Sequence, residues 1–154
     1  MGQSERTDLL TTDLLIIGYG NPLREDDGVG WRVAEAAAEA LPGAAVLTAH
    51  QLTPELSEPI SRAGRVVFID AAAEGIAGEV YYALLPPATD YRPGSHESTP
   101  DGLLALAAAL FGRCPPAYML TIVGHAFGLG EALSPAVEAA IPIAVRLIVE
   151  SPLE

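Results

Sequence analysis

Residues 14–41 read LLIIGYGNPLREDDGVGWRVAEAAAEAL, and this stretch decides the fold. It opens with a short apolar run, Leu14–Gly18, which predicts a buried strand. A glycine-rich and acidic loop follows. From Gly28 to Leu41 the apolar side chains then recur at helical spacing, which predicts an amphipathic helix. A buried strand followed closely by such a helix is typical of the first half of a strand–helix–strand unit.

The same alternation continues along the chain. A strand predicted at Glu79–Leu85 follows Asp70 after only eight residues, which is short for a crossover helix, so we expect this strand to be antiparallel. The pattern predicts an α/β fold: a three-layer sandwich with a five-stranded, mostly parallel twisted sheet and helices on both faces. The other predicted strands span 45–49, 65–70 and 117–124, and the other predicted helices span 53–62, 101–111 and 134–150.

Length and composition indicate a single globular domain. The chain has 154 residues, half of them hydrophobic, which excludes an intrinsically disordered protein. Its longest apolar run, Leu103–Phe111, is far shorter than the roughly 18 residues a membrane-spanning helix needs. We expect a flexible leader at 1–12, a single α/β domain at 13–154 and no membrane association.

The charge and cysteine content narrow the function classes further. The net charge is −12 and all eight basic residues are arginine, which argues against nucleic-acid binding and excludes lysine chemistry. The one cysteine, Cys114, allows no internal disulfide and follows a predicted helix in a loop, where a nucleophilic role is disfavoured. Without an apolar signal core at the N-terminus, we expect a cytoplasmic protein.

The candidate site lies at the carboxyl ends of the parallel strands, where α/β sheets bind their ligands. The acids Glu25, Asp26 and Asp27 follow the first strand, Asp70 ends the third, and His96 lies in the loop before the helix at 101–111. Two carboxylates and an imidazole that converge from separate loops form a transition-metal ligand set with open positions.

Each of these residues also has a purely structural interpretation. Acids at a helix N-terminus complement the helix dipole, a strand-end Asp70 binds nearby backbone N–H groups, and a loop histidine such as His96 is often simply solvated. His50 and His125 follow strands too, either as hydrogen-bonded loop histidines or as contacts to substrate. Trp31 is expected to pack against the core or to lie at an interface.

A nucleotide-binding module is the competing class of function. Gly18-Tyr19-Gly20 begins like a dinucleotide fingerprint, but the third glycine of that pattern is Leu23 here. The three acids before the helix would repel a pyrophosphate. The fingerprint is therefore broken.

The ordered motifs resemble those of the hydrogenase maturation proteases, which process the large subunits of nickel–iron hydrogenases. The first is GYGNPLREDDGVG at 18–30, with its two consecutive acids Asp26 and Asp27. Three more follow in order: VVFIDAAAEG around Asp70, Ser95-His96-Glu97 before a helix, and GLGEALSP at 128–135. The resemblance spans roughly residues 13–150.

The resemblance implies an endopeptidase that removes a C-terminal peptide from the precursor of a nickel–iron hydrogenase large subunit after nickel insertion. It assigns Asp27, Asp70 and His96 as the metal-contacting and catalytic residues and leaves Glu25 without a role. Nickel is expected to arrive with the substrate, so no permanently bound cofactor is expected, and a monomer is the default. The alternative is a nickel-checking chaperone that binds the large subunit without cutting it.

Overall fold

The computed structural model describes residues 12–151, and the predicted strands and helices all occur there. Of the predicted leader only Thr12 is described, and it begins the first strand; residues 1–11 lie outside the described part. The strands are β1 (Thr12–Tyr19), β2 (Ala45–Ala49), β3 (Ala63–Ala72), β4 (Val80–Leu84) and β5 (Ala117–Val123). The helices are α1 (Val29–Ala40), α2 (Ser57–Ser61), α3 (Pro100–Phe111) and α4 (Pro135–Val149), with short 3-10 helices at Glu25–Gly28 and Pro54–Leu56.

The five strands form one sheet in the order β2-β1-β3-β5-β4. The first four of these run parallel, whereas β4 is antiparallel to β5, as the short connection after Asp70 predicted. Helices α1 and α4 pack on one face, and α2 and α3 pack on the other. The predicted three-layer sandwich is confirmed.

Both faces of the central strands are buried, which explains why their sequences are continuous apolar runs. In β1, Ile16 packs toward α1 and α4, while Ile17 packs toward α2 and α3. In β3, Phe68 is fully buried. In the described part of the chain, every helix falls short of the length and apolar content needed to cross a membrane.

The helix predicted at 53–62 is divided in the structure. The 3-10 helix Pro54–Leu56 leads into the five-residue α2, and Pro59 lies in the first turn of α2. A proline is tolerated there because the N–H groups of a first helical turn have no partner within the helix. Helix α3 ends as predicted at Gly112, whose φ of 73° is in the left-handed region.

Helix α1 lies directly against β1 because two glycines face each other. A Cβ atom added to Gly18 would lie 2.2 Å from the carbonyl oxygen of Gly30, and one added to Gly30 would lie 2.7 Å from the carbonyl oxygen of Ile69. The close contact fixes the N-terminal end of α1, and the acids before it, at the carboxyl edge of the sheet.

We expect Gly18→Ala to destabilise the fold by about 1–3 kcal/mol, because the added methyl group forces α1 away from β1. Urea unfolding measures the change. Gly43→Ala is the matched control, since a Cβ atom there meets nothing within 4 Å. Equal stability of the two variants would contradict the close-contact explanation.

Candidate active site

The carboxylates among the candidate residues meet at one edge of the sheet. Strands β1, β3 and β5 run parallel, so their carboxyl ends lie together. The acids after β1 and Asp70 at the end of β3 consequently share this edge. The loop that contains His96 follows β4, which is antiparallel and ends beside the start of β5, so the strand topology does not bring His96 to the carboxylates.

Asp26 is fully buried and connects two distant parts of the chain. Its Oδ2 accepts hydrogen bonds from the backbone N–H groups of His125 (2.8 Å) and Ala126 (2.9 Å) and from the Ser134 hydroxyl (2.7 Å). Its Oδ1 accepts from the Ser134 N–H at 2.7 Å. Asp26 thus anchors the loop after β5, and the start of α4, to the loop after β1.

Burial by itself raises the pKa of the Asp26 carboxyl, but the hydrogen bonds from Ser134, Ala126 and His125 outweigh burial and leave the pKa below its usual value. The side chain is therefore held as a carboxylate with its oxygens occupied by the protein. Ser134 occupies the N-cap position of α4, although its hydroxyl donates to Asp26 rather than bonding to the helix backbone.

Asp27, the next residue, is half-buried and closes the glycine loop. Its Oδ2 accepts a hydrogen bond from the backbone N–H of Asn21 at 2.7 Å. Gly20 makes this closure possible, because its φ is 136° and a Cβ atom there would lie 2.2 Å from the Asp27 carbonyl oxygen. The Gly-x-Gly-Asn pattern thus positions the second acid of the pair.

Asp70 ends the buried part of β3 and hydrogen-bonds to Tyr19. Its Oδ1 also accepts from the backbone N–H of Ala71 at 2.7 Å, as the structural interpretation of a strand-end Asp expects. The pKa of Asp70 is raised to about 6, because burial and, to a smaller extent, the negative charge of Asp27 outweigh the lowering effect of the Ala71 and Tyr19 hydrogen bonds. The Tyr19 hydroxyl, whose own pKa is raised by burial and by Asp70, stays protonated as a donor.

Asp27 and Asp70 are thus near enough for their charges to interact, whereas His96 stands apart on an exposed loop. His96 has a φ of 57°, and its carbonyl oxygen accepts a hydrogen bond from the Thr99 hydroxyl at 2.8 Å. Across residues 12–151, no three or more His, Cys, Asp or Glu side chains are grouped closely enough to hold a metal ion. The assignment of Asp27, Asp70 and His96 as metal-contacting and catalytic residues remains a prediction.

The other singled-out side chains have structural contacts. Trp31 packs at the end of β2, where its Nε1–H donates to the Ala49 carbonyl at 3.0 Å and its ring meets that of His50 edge to face. The backbone of His125 donates to Asp26 while its side chain is exposed. Burial raises the pKa of the Cys114 thiol, against a lowering effect of Arg113, which disfavours a nucleophilic thiolate.

The sequence interpretation missed Tyr19 as the partner of Asp70. The strand period supplies a signal for it, since Tyr19 follows Leu15 and Ile17 on the same face of β1. The sequence interpretation also missed the hydrogen bond between Ser134 and Asp26, because the two residues are 108 positions apart.

Several solved protein structures share this architecture. HybD, a NiFe hydrogenase maturation protease from Thermococcus kodakarensis, is 25% identical over 90% of this chain and 98% of its own, with a TM-score of 0.69. A hydrogenase 2 maturation peptidase from a Thaumarchaeota archaeon is 26% identical over 93% of this chain and 100% of its own, with a TM-score of 0.67. The chain has the fold of the NiFe hydrogenase maturation proteases.

A further maturation protease, HycI from Thermococcus kodakarensis, has a TM-score of 0.70 and covers 96% of this chain, although only 22% of its residues are identical. No protein-family model matches the chain, and no curated protein matches it by sequence. The likeness to the maturation proteases therefore comes from the structure and from the ordered motifs.

Removal of the Asp26 carboxylate is expected to destabilise this maturation-protease fold. Asp26→Ala leaves backbone N–H groups at 125, 126 and 134 without their partner, at a cost of about 2–4 kcal/mol in the free energy of unfolding. Because folding lowers the pKa of Asp26, its contribution is present above the ordinary value of 3.8 and is lost as the pH falls through the folded value. Urea unfolding between pH 7 and pH 3 gives the difference in free energy of unfolding between wild type and Asp26→Ala. This difference should be constant near neutral pH and should shrink below about pH 4.

Glu131→Ala, an exposed change on the loop after β5 that Asp26 anchors, is the control for that series and should leave stability nearly unchanged. An advantage that persists undiminished at pH 3, or a Glu131→Ala variant equally destabilised, would contradict the anchoring role of Asp26.

Loss of the Tyr19 hydroxyl is expected to raise the pKa of Asp70 above about 6, because that hydroxyl stabilises the ionised carboxylate. Carboxyl carbon NMR titration of metal-free wild type and Tyr19→Phe measures the change. In Tyr81→Phe the lost hydroxyl binds Glu79 instead, so the pKa of Asp70 should not move. A lower or unchanged pKa in Tyr19→Phe would refute the hydrogen bond.

Proposed function

We propose that this protein is an endopeptidase that removes a C-terminal peptide from the precursor of a NiFe hydrogenase large subunit once nickel has been inserted. The observation that carries the proposal is the interacting carboxylate pair, Asp27 and Asp70, at the carboxyl edge of the parallel strands. The pair occupies a fold similar to maturation proteases across nearly the whole chain.

Nickel is proposed to belong to the substrate, with no metal held permanently by this chain. The electrostatics of the site support recognition of a bound cation. Asp27 and Asp70 repel each other when both are ionised, and a cation between them would relieve this repulsion. The precursor that carries nickel would therefore bind more favourably than the empty one.

His96 is proposed to complete the metal-contacting set when substrate arrives. An imidazole suits nickel as a ligand, and two carboxylates with one imidazole leave positions open for the ligands that the precursor itself supplies. The loop that carries His96 is held by other side chains: Glu97 Oε2 accepts hydrogen bonds from the Tyr91 hydroxyl at 2.8 Å and the Gly94 N–H at 2.7 Å. The imidazole itself is exposed and accessible to a partner.

The proposed reaction is hydrolysis of one peptide bond. The oxygen of a water molecule adds to the carbonyl carbon, the C–N bond breaks, and the two protons of that water end on the departing amine and on the new carboxyl group or solvent. Either Asp27 or Asp70 can accept the first proton. Asp70 suits this role better, because a pKa of about 6 makes it a stronger base than an ordinary carboxylate while it is still ionised near neutral pH.

We further propose that the protein acts in the cytoplasm. We propose that it is a monomer, because its substrate is itself a whole folded protein. A chaperone that checks nickel without cutting would use the same residues. Loss of mass from the precursor distinguishes the two functions.

The test is intact-mass spectrometry of a cognate large-subunit precursor, nickel-loaded and nickel-free, before and after addition of this protein. We expect loss of a C-terminal peptide from the loaded form alone. Asp27→Asn, Asp70→Asn and His96→Gln should each slow cleavage by at least about a hundredfold, as removal of a catalytic group does. Asp70→Asn also requires a stability measurement, because its carboxylate accepts the Ala71 N–H.

Asp90→Asn is the matched control, since it removes an exposed carboxylate in the loop before α3 and should cleave normally. Complex formation without any mass loss from a loaded precursor would support the chaperone instead. Cleavage at the wild-type rate by Asp27→Asn would remove the carboxylate pair from the mechanism.

A further inference from the structure

Two exposed leucines lie on adjacent loops next to the candidate site. Leu23 is 54% exposed and Leu129 is 88% exposed. A parallel β-bridge pairs Arg24 with Gly130, and the Gly130 N–H donates to the Leu23 carbonyl at 2.9 Å. This register places Leu23 next to Leu129.

The loops that carry these leucines are held firmly by hydrogen bonds. The Arg24 guanidinium donates to the Phe127 carbonyl at 2.8 Å, and Glu25 accepts from the Gly128 N–H at 2.7 Å. The Glu25 N–H donates to the Gly130 carbonyl at 2.8 Å. Because these loops are already held in place, a partner that binds them pays little for ordering their backbone.

An acidic cleft of about 220 Å³ opens beside the leucine pair. The residues that line it include the three acids Glu25, Glu35 and Glu131 together with Trp31. The one basic side chain in the lining, Arg32, forms an ion pair with Glu138 at 2.9 Å. The cleft therefore carries an excess of negative charge.

We infer that Leu23, Leu129 and this acidic cleft form the surface on which the precursor protein docks, through an aliphatic side chain flanked by lysine or arginine. The inference rests on the proposed function and names the surface that brings the substrate to the site. Hydrogen bonds link that surface to the site: the Leu23 N–H donates to the Asn21 Oδ1 at 2.9 Å, and the Asn21 N–H donates to Asp27 at 2.7 Å.

Charge selects this occupant over a second copy of the chain. The protein carries a net charge of −12, so a second copy would bring like charge to the cleft. A basic segment on a different protein is attracted to it, and the leucine pair supplies the apolar contact that charge alone does not.

The experiment measures affinity and cleavage separately, with the nickel-loaded cognate precursor as the probe. Leu129→Ser, and independently Leu23→Ser, should weaken precursor binding by at least about tenfold and raise KM while kcat stays unchanged. Glu35→Arg should also weaken binding, and its difference from wild type should narrow at high salt. Biolayer interferometry at two salt concentrations and initial cleavage rates supply these values.

Two matched controls lie away from the surface. Leu110→Ser removes a comparably exposed leucine (63%) near the end of α3, and Glu39→Arg makes the same charge change one turn further along α1, outside the cleft lining. Both should bind the precursor like wild type. Melting temperatures confirm that all variants are folded.

The docking surface would be overturned if both leucine variants bound the precursor as tightly as wild type, or if Leu110→Ser lost as much affinity as they do. Cleavage of the precursor by the wild type would still uphold the proposed function in that case. A concentration-dependent dimer in sedimentation that Leu129→Ser abolishes would make the surface a self-interface and overturn the inference too. A wild-type chain that neither binds nor cleaves a loaded precursor overturns the proposed function, and the docking surface with it.

Discussion

The edge of the sheet depends on one buried carboxylate, that of Asp26. A negative charge without contact to water is costly unless its oxygens are fully hydrogen-bonded. Here the donors come from the segment 125–134, about a hundred residues further along the chain. The requirement to satisfy Asp26 therefore holds the loop after β5, and the start of α4, against the loop after β1.

The three consecutive acids at this junction have different surroundings. Glu25 lies toward the surface and accepts a hydrogen bond from the N–H of Gly128, Asp26 is buried, and Asp27 faces the region of Asp70. Within the 3-10 helix Glu25–Gly28, three residues per turn direct the side chains of Asp26 and Asp27 about a third of a turn apart. Glu25 departs from that geometry, because its φ of 52° lies in the left-handed region. The acids at the start of α1 are more than dipole partners for the helix.

The sequence contained enough information for most of the fold and for part of the site. Continuous apolar runs and the helical spacing of apolar residues predicted the elements, and the short link after Asp70 predicted the direction of β4. The position of the acids at one edge followed from the parallel sheet. Contacts over long sequence distances, such as Asp26 with Ser134, could not be read, because no local pattern encodes which loops meet. The distance from His96 to the carboxylates was equally unreadable, since its loop geometry depends on side-chain contacts such as Glu97 with Tyr91.

The strand order has a consequence for how this molecule can diversify. From β1 the chain leaves through α1 toward β2 on one face, whereas it reaches β3 through α2 on the other. From the carboxyl end of β3 the chain continues to β4, on the opposite side of the sheet from β2, so the connections that leave these two neighbouring strands part in opposite directions at a topological switch point. The strand order fixes the position of this point whatever side chains lie there. Substitution and insertion in the surrounding loops can therefore change the bound protein while the sheet beneath keeps its strand order.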